Sequence, residues 1–596
     1  MLRFSKPDAE NFFRVVHVEN FAVSPDEKQL VFSANINGRY NLWAMDLPNA
    51  FPYPFAFYGQ NTDALRFDKE GRFLIASFDK DGDENLQIYA LPPHGGEWVP
   101  LRVQEGERHF FIDLSEDGRR LYYTTTKNNP TFLNTYVYDI ETGEETLILE
   151  GKDAGTTLCA VSPGENSVVY GKFFSNSHSR GYVRAGGNDF PLIPDAEEPH
   201  LEGEFVYVSE NEIYFLTNYQ SDFVYLAKFD VSAKRFSKVL QMDKEEFSLL
   251  RYGKKDQVLY IVGSYGMEDR LYRYDLKTGE AKQLNLPASV VEKLTVADSG
   301  NLYILARSAT RPNNIYRSAD GGMTWEELTR CRVPGISEAD LVEPEIVKYP
   351  SFDGLEIEAL FFRAKGEKAN GHVILWPHGG PQAAERKMFR ALFQLLLSRG
   401  YSIFAPNFRG STNYGLKFLK MVERDWGGGP RLDNIAGLEW LIKNGYADRE
   451  KIFLMGGSYG GYMALLLHGR HAEYFKAVVD IFGVSNLFSF IESMPEFWKP
   501  MAREWVGDPE KDKEKLTEDS PITYIDGMVK PMLVVQGAND PRVVKNESDQ
   551  IVEALRKKGR EVEYIVLEDE GHGFSKKENE INVYKQILAF FDKHAK

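Results

Sequence analysis

The sequence predicts a multidomain chain, an N-terminal seven-bladed β-propeller followed by a C-terminal α/β domain on a mostly parallel sheet. Three observations predict it. The first 330 residues repeat a strand-and-turn unit with a period of about 45 residues. After residue 355 strand-like and helix-like runs alternate. A glycine-rich turn at 456–460 joins a strand-like run to a helix-like one.

The repeat is legible from an alternating strand that ends in an acidic turn. It recurs at Asn41 to Asp46, Asn134 to Asp139, Leu226 to Asp230, Leu271 to Asp275 and Ile315 to Asp320. The terminal aspartates stand one or two multiples of about 45 residues apart, and Asn85 to Tyr89 and Gly181 to Val183 fill the double gaps. Seven units result. Ser318 to Trp325 matches the Asp-box pattern S-x-D-x-G-x-T-W, a structural hairpin between blade strands. Asp79-Lys80-Asp81-Gly82-Asp83 has its glycine two places early for a calcium loop and no glutamate at the twelfth position, so it reads as a solvated hairpin tip.

The boundary falls in Arg332-Val333-Pro334-Gly335-Ile336, which gives a propeller over 19–335 and the second domain over 336–596. Glu345 to Pro350 and Leu355 to Arg363 read as a hairpin around Asp353-Gly354. Gly456-Gly457-Ser458-Tyr459-Gly460 follows the strand-like Lys451 to Met455 and precedes the helix-like Tyr462 to Leu467. A G-x-S-x-G in that context is the nucleophile elbow of an α/β-hydrolase domain, because the strained turn that exposes the serine leaves no room for neighbouring side chains.

That fold orders its catalytic groups as Ser, then Asp or Glu, then His. Of eleven histidines, His572 and His594 alone follow any acid downstream of the serine. His594 sits in the chain's last four residues, where fraying is the default, so His572 in Glu570-Gly571-His572-Gly573-Phe574 is the candidate. Asp540 follows the strand-like Pro531 to Gln536 and is the candidate acid. His378-Gly379-Gly380-Pro381 follows the strand-like Val373 to Trp376. Its glycines allow a backbone N–H to approach a developing oxyanion, and the Tyr459 N–H is the expected partner donor.

These motifs, together with Pro406 to Gly415 and Asp540-Pro541-Arg542-Val543, resemble the prolyl oligopeptidase family of serine peptidases, in its acylaminoacyl-peptidase-like branch. Asn413, where glycine is usual, and Pro541 are the departures. The resemblance implies a propeller that caps the triad and limits substrate size. It implies that residues 1–18 pack back on the second domain. It offers two readings of the remaining oxyanion donor, the Gly380 N–H or the Tyr414 hydroxyl, with Gly380 preferred. It casts Arg542 as a donor to a substrate carbonyl. The acylaminoacyl or oligopeptidase reading leads. A dipeptidyl peptidase is the alternative, with Glu144-Glu145, Glu197-Glu198 or Glu245-Glu246 as amine-binding pairs, and a carboxypeptidase-like mode stands beside it. Phe482, Val484 and Phe488 are candidates for an apolar side-chain pocket, with core packing an equal contender.

An esterase would use the same triad, but a lid of some 300 residues is excessive for a small ester. A non-catalytic propeller binding protein ranks last, since Ser458, Asp540 and His572 are all present. Net charge is −17, from 88 acidic and 71 basic residues, which argues against nucleic acid and anionic membranes as partners. Short peptides are the expected partners, no cofactor or metal is called for, and a homo-oligomer is compatible with the surface. His468 and His471 are three apart on a helix but lack a local third metal ligand. Cys159 and Cys331 are the chain's two cysteines, and no apolar leader follows Met1, so a reducing, cytoplasmic setting is expected.

Overall fold

The computed structural model describes residues 7–194, 196–366 and 369–596. Seven four-stranded antiparallel sheets come first, from Val18–Val23 in the first to Glu326–Glu327 in the seventh. The propeller and its blade count are as the repeat predicts. Among the described residues no strand is shared across the ring's join, and side chains close it. Val18, Phe21 and Phe32 of the first blade share one core with Tyr303, Leu305 and Ile315 of the seventh. The Tyr303 hydroxyl and the Asn301 amide both donate to Glu27.

An eight-stranded sheet follows. Its spatial order is Glu345–Pro350, Glu356–Phe362, Ser402–Asn407, Val373–Leu375, Ile452–Gly457, Val478–Ile481, Met532–Gly537, Val562–Leu567. The first three are antiparallel to one another, and from Ser402–Asn407 onward the neighbours are parallel. Both faces are covered, so the central strands are apolar on both sides. Alternation divides them: Ile452 and Leu454 face one core with Tyr462 and Ile551, while Phe453 and Met455 face the other with Leu395 and Ile587.

The helix Ala9–Phe13 belongs to the second of these cores, although propeller strands follow it in sequence. Asp8 and Asn11 cap it reciprocally, and the Phe13 ring stacks on Tyr584 with centroids 4.8 Å apart. Residues 1–6 of the 1–18 segment lie outside the described residues. No helix among the described residues is long and apolar enough to cross a membrane.

The two parts are stitched on two sides. Asp269 and Glu268 on the sixth blade pair with Arg386 and Lys387, and Glu246 accepts the Gly415 N–H at 2.7 Å. On the opposite side the second-blade loop Asp79 to Glu84 is not the solvated tip that its composition suggests. It presses on the loop that carries His572. A Cβ on Gly82 would lie 2.6 Å from the Gly571 nitrogen, and Lys576 donates to Asp81 at 2.9 Å. Asp81 and Glu84 of this loop meet Lys576 and Arg542 of the other domain, which a single hairpin's sequence does not encode.

Candidate active site

Steric exclusion builds the elbow. Ser458 sits at φ 59°, ψ −123°, between the strand Ile452–Gly457 and the helix Tyr459–His471. That conformation strains any residue with a Cβ and persists only where the surroundings over-determine it. The Gly456 and Gly460 backbones touch, so that a Cβ on Gly456 would stand 2.2 Å from the Gly460 carbonyl oxygen. A Cβ on Gly460 would meet the Pro377 carbonyl oxygen at the same distance. The Ser458 N–H is fixed by the Ile481 carbonyl at 2.9 Å, which leaves the hydroxyl to project from the turn.

His572 Nε2 lies 2.9 Å from the Ser458 hydroxyl, and His572 Nδ1 lies 2.6 Å from Asp540 Oδ2. The other oxygen, Asp540 Oδ1, accepts the Arg542 and Val543 N–H groups at 2.9 Å each. The Asp540 side chain is fully enclosed. With its partner oxygen tied to backbone donors, Oδ2 is left to receive the Nδ1 proton, and Nε2 then presents its lone pair to the serine hydroxyl. Glu570 braces the histidine loop from inside. It is buried and accepts Ser575 N–H, Ser575 hydroxyl and Lys576 N–H. The arrangement can take a proton from Ser458 and return it to a leaving group.

Beside the serine, three backbone N–H groups have no acceptor among the described residues: those of Tyr459, Gly379 and Gly380. The Tyr459 N–H also opens a helix, whose dipole favours negative charge there. A Cβ on Gly379 would be 4.0 Å from the Ser458 hydroxyl oxygen, so this segment borders the nucleophile directly. His378 is structural. It is buried against Phe408, bonds Ser411 at 2.9 Å, and burial lowers its pKa to about 4.

The structure corrects the Tyr414 alternative. Its hydroxyl donates to Glu358 at 3.1 Å and accepts from Asn407 at 3.0 Å, so its single proton is committed to a carboxylate on the strand Glu356–Phe362. Burial and that carboxylate push its pKa well up. Tyr414→Phe should therefore lower kcat less than tenfold, measured at saturating peptide. An oxyanion-hole hydroxyl would show a loss of about 10²–10³.

The apolar pocket candidates separate. Phe482 is partly buried, adopts φ 44° and sets its ring 4.6 Å from the His572 ring. Phe488 packs at the edge of the core, while Val484 is 2% exposed within it and offers a substrate no surface. Arg542 is exposed and reaches across the domain interface to Glu84. None of the glutamate pairs forms an amine site here. Glu145 is held by Arg102 and Lys127, Glu245 by Arg270, and Glu246 by the Gly415 N–H, while Glu144, Glu197 and Glu198 are exposed. His468 is buried and accepts the Lys530 N–H, and His471 contacts Arg431.

Apart from Asp540, the acids beside the histidine loop are ones that the sequence did not offer as site residues. A cavity of about 220 Å³ adjoins His572, with Gly571 to Ser575 as one wall and Glu19, Asp79 and Glu84 on the propeller wall. Asp79 accepts only the Glu84 N–H, and no lysine or arginine among the described residues pairs with it. Its burial and the neighbouring Asp83 and Glu84 raise its pKa to about 6. The density of acids from Asp79 to Glu84 was the available signal. What it lacked was the knowledge that this hairpin faces the triad.

The chain is also similar to known proteins. A family model described as the prolyl oligopeptidase family matches residues 387–596. Dipeptidyl peptidase family member 6 of Caenorhabditis elegans is 36% identical over 574 residues, covering 87% of this chain and 76% of its own. Dipeptidyl aminopeptidase BIII of Pseudoxanthomonas mexicana is 27% identical over 600 residues, covering 94% and 84%. A solved structure of a Mycobacterium tuberculosis puromycin-hydrolyzing peptidase superposes with a TM-score of 0.86, over 99% of this chain and 96% of that one, at 20% identity. A chain with this architecture and these relatives belongs to the prolyl oligopeptidase family and is a serine peptidase.

Proposed function

We propose that this peptidase takes short peptides by a free amino terminus and cleaves near that end. Ser458 attacks the carbonyl, and His572 receives the serine proton and passes it to the departing amine. Asp540 holds the imidazole and stabilises its charged form. The Tyr459 N–H and one N–H of Gly379-Gly380 receive the oxyanion. Water then releases the acyl-enzyme with His572 as base.

The observation that carries the amine preference is the acidic cavity beside His572. A half-buried carboxylate with no cation beside it is unfavourably placed, and an α-ammonium group would supply that cation. A blocked, neutral amino terminus would leave Asp79 as it is. This is why the cavity favours an aminopeptidase mode over the acylaminoacyl mode that the sequence motifs rank first. The names of the two relatives above, both dipeptidyl peptidases, point the same way. The propeller, held to the second domain by contacts on two sides, supports the reading that flexible peptides enter and folded proteins do not.

The test is a matched pair of dipeptidyl anilides, one with a free amine and one acetylated. The free amine should be cleaved with a kcat/KM at least tenfold higher. Asp79→Asn should remove about ten- to a hundredfold from the free-amine substrate alone, as expected for a hydrogen bond to a charged group. The sign of the pH effect follows from Asp79. Its carboxyl must be ionised to hold an ammonium and its pKa stands at about 6. KM for the free-amine substrate should therefore rise as pH falls through about 6, and this step should vanish in Asp79→Asn. Faster cleavage of the acetylated substrate would overturn the amine reading in favour of an acylaminoacyl peptidase.

A further inference from the structure

Two cavities lie at opposite ends of the same inner propeller strands. The strand Val18–Val23 places Glu19 in the cavity beside His572 and Phe21 to Val23 in a second cavity. The next blade's inner strand, Thr62–Phe67, follows Asn61 in the first cavity and ends with Leu65 to Phe67 in the second. At ~3.3 Å per residue the two are roughly 10–15 Å apart along the propeller axis. The second cavity, of about 430 Å³, is therefore the mouth of the propeller channel that faces away from the triad.

Three cations converge on that mouth. The Lys293 ammonium donates to the Asn20 side-chain oxygen at 2.6 Å and to the Phe21 carbonyl at 2.7 Å, both uncharged. It also lies over the Phe21 ring, 5.0 Å from the centroid, and no carboxylate among the described residues is within ion-pair distance of it. Arg251 pairs with Glu204 at 2.7 Å through Nη1 and donates Nε to the Leu294 carbonyl, which leaves Nη2 free. Arg66 pairs with Asp113 through Nη1 alone. Two carboxylates share the lining: Asp68 is consumed by Arg72 and two backbone N–H groups, and Asp298 is exposed to solvent. Burial and the fields of Arg251 and Arg66 lower Lys293 to about 7, the behaviour of an ammonium in a positive field without a counter-charge. Asp63 answers it only at a distance, from the triad side.

We propose that this distal mouth is a binding site for a carboxylate or phosphate anion, held by Lys293, Arg251 and Arg66. The channel is then polar along its axis, with carboxylates at the triad end and cations at the far end. An unblocked short peptide has the matching polarity, an ammonium at one end and a carboxylate at the other. That choice of ligand rests on the free-amine reading. The anion site does not.

The test uses the inactive Ser458→Ala protein in calorimetric titrations with inorganic phosphate, with an unblocked pentapeptide, and with the same pentapeptide amidated at its C terminus. Phosphate should bind in a saturable, roughly millimolar range, and Lys293→Met should weaken it about tenfold. If the free-acid peptide binds about tenfold tighter than the amide, and Lys293→Met erases the difference, the anion is the peptide's C terminus. If phosphate alone depends on Lys293, the site takes a free anion, and the proposal also stands. Cleavage of a dipeptidyl anilide, which has no carboxylate, should be unchanged by Lys293→Met with Ser458 intact. Arg251→Gln, compared by thermal melting, guards against a fold defect in the lysine variant. The proposal is overturned if neither phosphate nor the free-acid peptide responds to either variant. Acetylating the peptide's amino terminus probes the other end, so failure there leaves the Lys293 result readable.

Discussion

Ser458→Ala lowers kcat by about 10⁶, the loss expected when a serine hydrolase is deprived of its nucleophile. The magnitude follows from geometry. The Ser458 hydroxyl is the group that His572 Nε2 faces at 2.9 Å, and the elbow around it is built from backbone contacts that alanine leaves in place. Alanine also has a Cβ, so the strain at φ 59° is the same in both proteins and the melting temperature should move little. Stopped assays on a free-amine peptide, with a thermal melt on the same sample, check both halves. Activity within tenfold of the starting protein would mean that another residue is the nucleophile.

Asp540→Asn comes next, with a fall in kcat of about 10⁴ and little change in KM. Asp540 Oδ1 is claimed by the Arg542 and Val543 N–H groups, and Oδ2 by His572. An asparagine has one acceptor oxygen and must turn it toward the two backbone donors. Its NH₂ then faces His572 Nδ1, which must present a lone pair and move its proton to Nε2. That tautomer cannot accept from Ser458. A drop of less than a hundredfold at saturating substrate would show that Asp540 does not set the tautomer.

The parts of the site that were legible in the sequence are those fixed by local sterics or chain order. Gly456 and Gly460 are required because their backbones touch, and a motif records that. His572 was isolated by order along the chain. The propeller was legible because each blade leaves its third strand through turn residues at the same interval. What the sequence withheld depends on which surfaces meet. Asp79 to Asp83 reads as a hairpin tip because nothing in that hairpin says that Gly82 will abut Gly571. Glu145 and Glu245 looked like an amine site by type, but Arg102 and Lys127 neutralise the first and Arg270 the second, from elements that pack beside them. Tyr414 matched its motif position, yet Glu358 from a neighbouring strand takes its proton. Even His594, expected to fray, ends an ordered helix with its ring 4.8 Å from Phe590.

Covalent labelling with a fluorophosphonate, followed by mass mapping, tests the central claim most directly, because it reads the nucleophile and the recognition together. The account predicts one adduct per chain, on the peptide containing Ser458. It predicts that an unblocked short peptide slows labelling, while its N-acetylated twin at the same concentration does not. An adduct on another residue, no adduct in protein that still hydrolyses peptides, or equal protection by the acetylated peptide would contradict it.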